Sequence, residues 1–395
     1  MSNNFKYYVP TEVIFGKGTE SQVAELVKKY GGSKVLIVYG GQSAVKSGLL
    51  QKIEDYLTKG GVAFAKIGGV VPNPLLSKVY EGIELAKKEQ VDFLLPVGGG
   101  SVIDTAKAIA YALAEPDKDV WDLYEHTRKA SGSLPLGAVL TIAAAGSETS
   151  DSSVITNENN GEKRGYNDDL CRPKFAIMNP ELTMTLPDYQ TQSGCADMQM
   201  HTMERYFTNQ GNLEITDSMA EALMRTVMTY AKILHEDPAN YEARAEVMWA
   251  GSLAHSGLTG CGNGGNDFAS HRLEHEMGGM FNVTHGAGLA AIWGSWARYV
   301  YRDCLHRFVK FAVTVHGVTP GATDEETAMK GIEAQEAFYR SVGMPTCFSE
   351  LGISPSDAQI LEMAKRCSAA VGGSLGAAKV LYEKDFVEIY RMANH

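Results

Sequence analysis

The chain has 395 residues, 44% of them hydrophobic and 21% charged, with 36 Lys and Arg against 47 Asp and Glu. That length exceeds what one ordinary core supports, so two domains are expected, and the composition is that of a soluble globular protein. A net charge of −11 argues against nucleic acid as a partner, because phosphate binding needs concentrated Lys and Arg. No apolar run approaches the roughly 18–20 residues of a bilayer span, so no membrane role is expected. The start Met1–Lys6 lacks the charged-then-apolar pattern of a secretion signal. The cysteines at 171, 195, 261, 304, 347 and 367 are scattered with no CxxC pair. They read as reduced thiols of a cytoplasmic enzyme.

In chain order, residues 1–187 alternate short β-rich runs with helical patterns. Lys34–Tyr39, Val62–Ile67, Phe93–Val97, Leu136–Ile142 and Phe175–Met178 are mostly apolar and bounded by Gly, Pro or Asn. Continuous apolar strands of that kind suit a parallel sheet covered on both faces. Between them, Thr19–Tyr30, Gly48–Lys59, Ser77–Lys88 and Ser101–Ala114 carry helical spacing. The alternation predicts a doubly wound, Rossmann-like α/β domain. After Leu186-Pro187 the strands stop. Helical segments follow at Tyr189–Phe207, Ser218–His235, Tyr241–Ser256, Asp267–Met280, Glu325–Val342, Pro355–Val371 and Lys384–Met392, so residues 188–395 are expected to form an all-α domain. The crevice between two such halves is a natural place for a ligand.

Gly98-Gly99-Gly100-Ser101 lies directly after the strand FLLPV and directly before a helix. Glycines let the backbone approach an anion, and the helix that follows aims its N–H groups and positive dipole end at it. By mechanism this is a pyrophosphate site, although it matches neither GxGxxG nor the P-loop pattern. Asp104 and Lys107 lie one and two turns into that helix. A second turn, Gly40-Gly41-Gln42-Ser43, follows the strand KVLIVY, where dinucleotide folds usually place an acidic residue for the adenosine ribose. No carboxylate stands there to repel a 2′-phosphate, which favours NADP(H) over NAD(H); the alternative is a mere tight turn. A third glycine-rich stretch, Gly260–Gly265, follows a helix instead and reads as a connection, with Asn266 or Asp267 able to cap the next helix.

Asp197 and His201 are four apart in a helical pattern and face the same way, as a carboxylate–imidazole metal pair would. Alone, such a pair is more often a surface ion pair. Further on, His271, His275 and His285 crowd into one segment together with Glu274 and Glu276. Spacing alone makes His271 and His275, an HxxxH pair, the obvious third and fourth ligands. The surroundings are not HExxH, so a zincin protease is unsupported. His126, His235, His255, His306, His316 and His395 have no such company and read as structural or surface residues.

With these segments in place, the chain resembles the iron-dependent (group III) alcohol dehydrogenase family over essentially its whole length. The resemblance is carried by VIFGKG at 13–18, GGGSVIDTAK at 98–107, TIAAAGSETS at 141–150, ADMQMHTMERYF at 196–207 and HRLEHEMGGMFNVTHGAGLA at 271–290. Within the family it looks closest to the NADPH-dependent butanol dehydrogenase and aldehyde reductase branch. The resemblance implies a Rossmann-like domain, then an all-helical domain (the dehydroquinate synthase-like architecture), in a homodimer. It implies one divalent metal, Fe²⁺ or Zn²⁺, held by Asp197, His201, His271 and His285. His275 then becomes a non-ligand histidine near the substrate and a proton carrier. Gly98, Gly99, Gly100, Ser101 and Asp104 match its pyrophosphate loop, Thr141 and Lys163 match cofactor-contacting positions, and Gly40, Gly41 and Ser43 match its NADP-preferring turn. Ala145 departs from the family, where relatives often carry Thr.

The implied reaction is reversible hydride transfer between NADP(H) and a primary alcohol or aldehyde, with a Lewis-acidic metal at the substrate oxygen. Two other readings belong beside it. A polyol dehydrogenase or a dehydroquinate-synthase-like lyase would share the architecture, but a lyase acting on a phosphorylated substrate should show more basic residues than the single Arg272 in segment 271–290. A non-catalytic nucleotide- or metal-binding regulator would bind NADPH without aldehyde-dependent oxidation of it.

Overall fold

The computed structural model describes residues 4–211 and 213–395. It divides into two compact units, Tyr8–Thr185, and Leu186–His395 together with the chain start up to Tyr7. In the first unit the strands are β1 (Glu12–Phe15), β2 (Lys34–Tyr39), β3 (Ala63–Ile67), β4 (Phe93–Gly98), β5 (Gly137–Leu140), β6 (Ser152–Asn157), β7 (Glu162–Asn167) and β8 (Phe175–Met178). Six form one parallel sheet in the order β1-β8-β5-β4-β2-β3. The helices are α1 (Val23–Lys29), α2 (Ser43–Lys46), α3 (Leu49–Lys59), α4 (Leu76–Glu89), α5 (Gly100–Ala114) and α6 (Trp121–Tyr124).

Strand alternation explains why the central strands are apolar throughout. Val35 and Ile37 of β2 and Phe93 and Leu95 of β4 pack with α1 and α3 on one face, against Val27, Ile53 and Leu57. Leu36, Val38 and Leu94 turn the other way, onto Val79 and Ile83 of α4 and Ala106 and Ile109 of α5. Both faces are covered, as a parallel sheet requires. The expected strands are all present. The structure adds β1, a half-exposed edge strand only four residues long, and the antiparallel hairpin β6–β7. The hairpin sequence, SSVITN and EKRGYN, is polar and lacks an apolar run, so it resembled a loop.

The second unit contains α7 (Asp188–Tyr206), α8 (Glu214–Glu236), α9 (Tyr241–His255), α10 (Ala269–Phe281), α11 (His285–Val300), α12 (Leu305–Thr314), α13 (Asp324–Ser341), α14 (Phe348–Leu351), α15 (Asp357–Ala370) and α16 (Glu383–Ala393). A two-residue antiparallel pair, Ser374–Leu375 with Leu381–Tyr382, is the exception to the expectation that strands end near residue 187. Three helices, α11, α12 and the four-residue α14, were not expected from the sequence. In α11 the glycines that resembled loop signals are sites of close packing: a Cβ on Gly286 would stand 1.9 Å from the backbone oxygen of Ser193 on α7. Gly260–Gly265 does connect α9 to α10. Asp267 stands two residues before α10 and accepts the N–H of Ala269 at 3.1 Å, while the N-cap itself is Phe268, in the left-handed region at φ 52°. Among the described residues no helix is long and apolar enough to cross a membrane.

Candidate metal centre and dinucleotide loop

In the first unit β3 lies on one side of β2 and β4 on the other, so the chain reverses its direction of travel across the sheet between β2 and β4. The carboxyl ends of strands flanking such a switch point form the natural ligand crevice of an open α/β sheet. Both glycine turns are there: Gly40-Gly41 ends β2 and Gly98-Gly99-Gly100 ends β4 and begins α5. They meet across Val102, whose Cγ2 lies 3.7 Å from where a Cβ on Gly40 would stand and 2.5 Å from one on Gly98. Thr141, just past β5, donates its N–H to the Gly98 carbonyl at 3.0 Å. Gly98 and Gly99 have packing reasons to be glycine, since a Cβ on Gly99 would come within 2.9 Å of Ile142. Gly100 is different: its nearest neighbour would be the Cβ of Ala145 at 3.8 Å, leaving space beside the first turn of α5. Ser101 follows in that turn, in which the N–H groups of Val102 and Ile103 already donate to the Gly99 carbonyl at 3.0 and 3.1 Å, while those of Gly100 and Ser101 precede any intrahelical acceptor.

Asp104 and Lys107 face the segment after this loop. The Asp104 carboxylate accepts the Ser147 hydroxyl at 2.6 Å and the Val154 N–H at 3.0 Å. Lys107 is fully buried, and its ammonium donates to the carbonyls of Ser147, Ser150 and Ser152 at 2.8, 3.0 and 2.7 Å. Together they anchor residues 147–154 and the hairpin to α5. Lys163 is buried on β7 opposite Thr156. Ser43 opens α2 on the exposed side of its turn.

In the second unit the histidine cluster is built on three helices. Asp197 and His201 lie on α7, which is buried on every side from Thr191 to Tyr206. His271 lies on α10, and His285 is the first residue of α11. The close approach of Gly286 to Ser193 seats the start of α11 on α7 and brings His285 to Asp197. Asp197 Oδ1 then has three imidazole nitrogens around it: Nε2 of His201 at 3.3 Å, of His271 at 3.5 Å and of His285 at 3.8 Å. Ligand atoms of Asp197, His201 and His271 all lie within 4.8 Å of one another, with His285 at the rim and the most exposed of the four. His275, one turn beyond His271, is buried with its ring centroid 6.0 Å from that of His285 and 6.5 Å from that of His271.

The donor set fits a divalent cation. Asp197 Oδ1 and His271 Nε2 are buried and have no hydrogen-bond partner, and buried polar atoms left so are exceptional unless an ion or water satisfies them. A carboxylate oxygen and imidazole nitrogens converging on one point is the nitrogen–oxygen set that Fe²⁺, Zn²⁺, Co²⁺ and Ni²⁺ all accept.

Two carboxylates that sequence reasoning did not assign complete the cluster. His271 donates Nδ1–H to Glu204, whose other oxygen accepts the His271 backbone N–H at 3.0 Å; His285 donates Nδ1–H to Glu274. Each turns Nε2 toward Asp197 and fixes the tautomer a ligand needs. The signal was in the spacing: Glu204 follows His201 by three and Glu274 follows His271 by three. Each carboxylate serves a histidine on a different helix, which spacing cannot reveal. Gly288 leaves room for Glu274, since a Cβ there would meet Glu274 Cγ at 2.9 Å. His255, which the sequence left without company, also belongs here: its ring centroid lies 3.9 Å from that of His201.

The electrostatics are asymmetric. Burial, with His255, His271, Arg205 and His285 nearby, holds His201 well below the ordinary imidazole range, so it is neutral. Burial also opposes charge on His271, but Glu204 and Asp197 outweigh it and raise that imidazole to about 9.

Residues 10–180 match the family model described as iron-containing alcohol dehydrogenase, and residues 191–394 match the C-terminal model of the Fe-containing alcohol dehydrogenase family. The NADH-dependent butanol dehydrogenase A of Clostridium acetobutylicum is 38% identical over 389 residues, covering 98% of this chain and 99% of that protein. The NADPH-dependent aldehyde reductase YqhD of Escherichia coli is 35% identical over 361 residues, 90% of each chain. Among solved structures, the NADH-dependent butanol dehydrogenase A of Thermotoga maritima superposes with a TM-score of 0.95 at 38% identity, covering 100% of this chain and 99% of that one.

Proposed function

Because the chain belongs to the iron-containing alcohol dehydrogenase family, we propose that it interconverts primary alcohols of butanol-like size and their aldehydes, with NADP(H) as the hydride carrier. The observation that carries this reading is the ring of imidazole nitrogens around Asp197 Oδ1, with its unpartnered buried atoms. Asp197, His201, His271 and His285 are the residues that would hold the metal. When bound, a divalent cation supplies Lewis-acid polarisation of a substrate oxygen.

The chain's own residues supply the rest. Glu204 and Glu274 keep the Nε2 atoms of His271 and His285 aimed at Asp197. The Gly98–Ser101 turn and the first turn of α5 bind pyrophosphate, with Thr141 beside them. An imidazole nitrogen of His275 takes the alcohol proton in oxidation and returns it in reduction.

Relatives named for NADH and for NADPH both occur, and the support for NADPH comes from this chain's own turn. The Gly40–Ser43 turn carries no carboxylate. Its Gly40 carbonyl accepts the Gly69 N–H at 2.9 Å, and Lys78 Nζ lies 3.6 Å from where a Cβ on Gly69 would stand. Lys78 is already ion-paired with Glu81, so what suits a 2′-phosphate here is the absence of a carboxylate from the turn itself. We place the enzyme in the cytoplasm as a homodimer, on the family resemblance.

The test is oxidation of NADPH and of NADH with straight-chain aldehydes, using metal-stripped enzyme and enzyme reloaded with each candidate metal. Activity should require metal and be higher with NADPH. Full activity in stripped enzyme removes the metal from the reading, and no aldehyde-dependent oxidation by any loaded form leaves a nucleotide-binding regulator.

A further inference from the structure

The three imidazoles around Asp197 are not held alike. His271 and His285 each give Nδ1–H to a buried carboxylate, but His201 Nδ1 is buried with no hydrogen-bond partner. What supports His201 instead is a ring. His255, the last residue of α9, lies with its centroid 3.9 Å from that of His201 at an interplanar angle of 41°. His255 is itself pinned: Arg205 Nη2 stands 3.3 Å from its Nδ1. The same guanidinium donates to the carbonyls of His201 at 2.6 Å and Ala254 at 3.3 Å, tying the end of α7 to the end of α9. It also lies 5.0 Å over the ring of Phe268, which packs edge-on to His201 at 6.3 Å.

We propose that His255, fixed by Arg205, is the positioning residue for His201. Its ring restrains the His201 imidazole as Glu204 and Glu274 restrain the other two. The reason for a ring here is charge. Asp197, Glu204 and Glu274 already place three carboxylates around the cluster, and a fourth would need further compensation in a buried site. A ring contact orients without adding a further carboxylate, and the Arg205 guanidinium, which can only donate, meets the His255 ring at Nδ1. This proposal rests on the metal-binding reading.

The experiment uses stripped full-length protein and Co²⁺ as probe, titrated against a chelator and followed by the visible spectrum, for wild type, H255A and H255F. Partners that orient metal ligands typically contribute 10–100-fold in metal affinity, so H255A should bind Co²⁺ at least about tenfold more weakly and with an altered spectrum. H255F keeps a stacking ring and should recover most of the affinity. The thermal midpoints of the stripped proteins should differ little. Unchanged Co²⁺ affinity in H255A overturns the proposal, as does H255F binding no better than H255A. An affinity loss matched by collapse of the stripped protein's midpoint makes His255 a packing residue and also overturns it. Failure of wild type to bind Co²⁺ is distinguishable from these, since it removes the metal reading itself.

Discussion

Glu204, on α7, accepts the Nδ1–H of His271, on α10, so one carboxylate links the helix carrying Asp197 and His201 to the helix carrying the next histidine. It also accepts the His271 backbone N–H at 3.0 Å, leaving His271 few orientations. Glu204→Gln presents an amide in place of the carboxylate and forfeits the charge that makes the imidazole a stronger donor to metal. Metal affinity should fall by roughly 10–100-fold, measured by chelator competition. Wild-type affinity in the variant would show that the contact does not orient His271.

Replacing His275 tests whether proton transfer can be separated from metal binding. His275→Ala should lower kcat by roughly 10²-fold or more while metal content stays near wild type. Unchanged turnover would remove His275 from the mechanism. Lost metal would make it a ligand instead.

Gly286 is where α11 rests on α7. Its Cβ would stand 1.9 Å from the Ser193 oxygen and 2.6 Å from the Ser193 carbonyl carbon, neither of which can swing aside. Gly286→Ala should cost about 3 kcal/mol of stability, the upper end for overpacking, and lower metal content by displacing His285. Urea unfolding together with metal analysis checks both, and wild-type values for both would contradict this packing.

Coenzyme preference should respond to charge in the Gly40–Ser43 turn. A Cβ on Gly41 meets nothing within 4 Å, so Gly41→Asp can be accommodated. The new carboxylate would repel a 2′-phosphate and could bind a ribose hydroxyl. The kcat/KM for NADPH should drop roughly tenfold or more while that for NADH holds or rises, a change of about 1.4 kcal/mol or more. Equal effects on the two coenzymes would mean that the turn does not read the 2′ position.

Asp267 predicts a pH dependence of stability. It is fully buried, and burial, with Glu204 nearby, raises its carboxyl to about 7 even though the N–H groups of Ala378, Ala377 and Ala269 favour the charged form. A carboxyl raised above its unfolded value contributes stability that is present below that value and lost as pH rises through the folded one. With an ordinary value of 3.8 and about 1.4 kcal/mol per pH unit, roughly 4 kcal/mol should be withdrawn between pH 4 and 7. Asp267→Asn removes this dependence, so the difference in unfolding free energy between wild type and variant should change across that window. A constant difference would place the Asp267 carboxyl in the ordinary range.

Much of this protein was determined by its sequence alone. The apolar strands from Lys34 to Met178, the Gly98–Ser101 turn opening a helix and the pairing of Asp197 with His201 follow from periods of 2 and 3.6 and from the conformations glycine allows. Those signals are local, and so is the information they carry. Tertiary structure decided the rest. Spacing favoured His275 as a companion of His271, whereas packing of Gly286 on Ser193 brings His285 to Asp197. The same short-range logic missed α11, because glycines that admit a neighbouring backbone look like glycines that break a helix. It also left His255 alone and Glu204 and Glu274 without roles, since each acts on a residue of another helix. Contacts between helices depend on how faces are apposed, and linear spacing within one helix holds no record of that apposition.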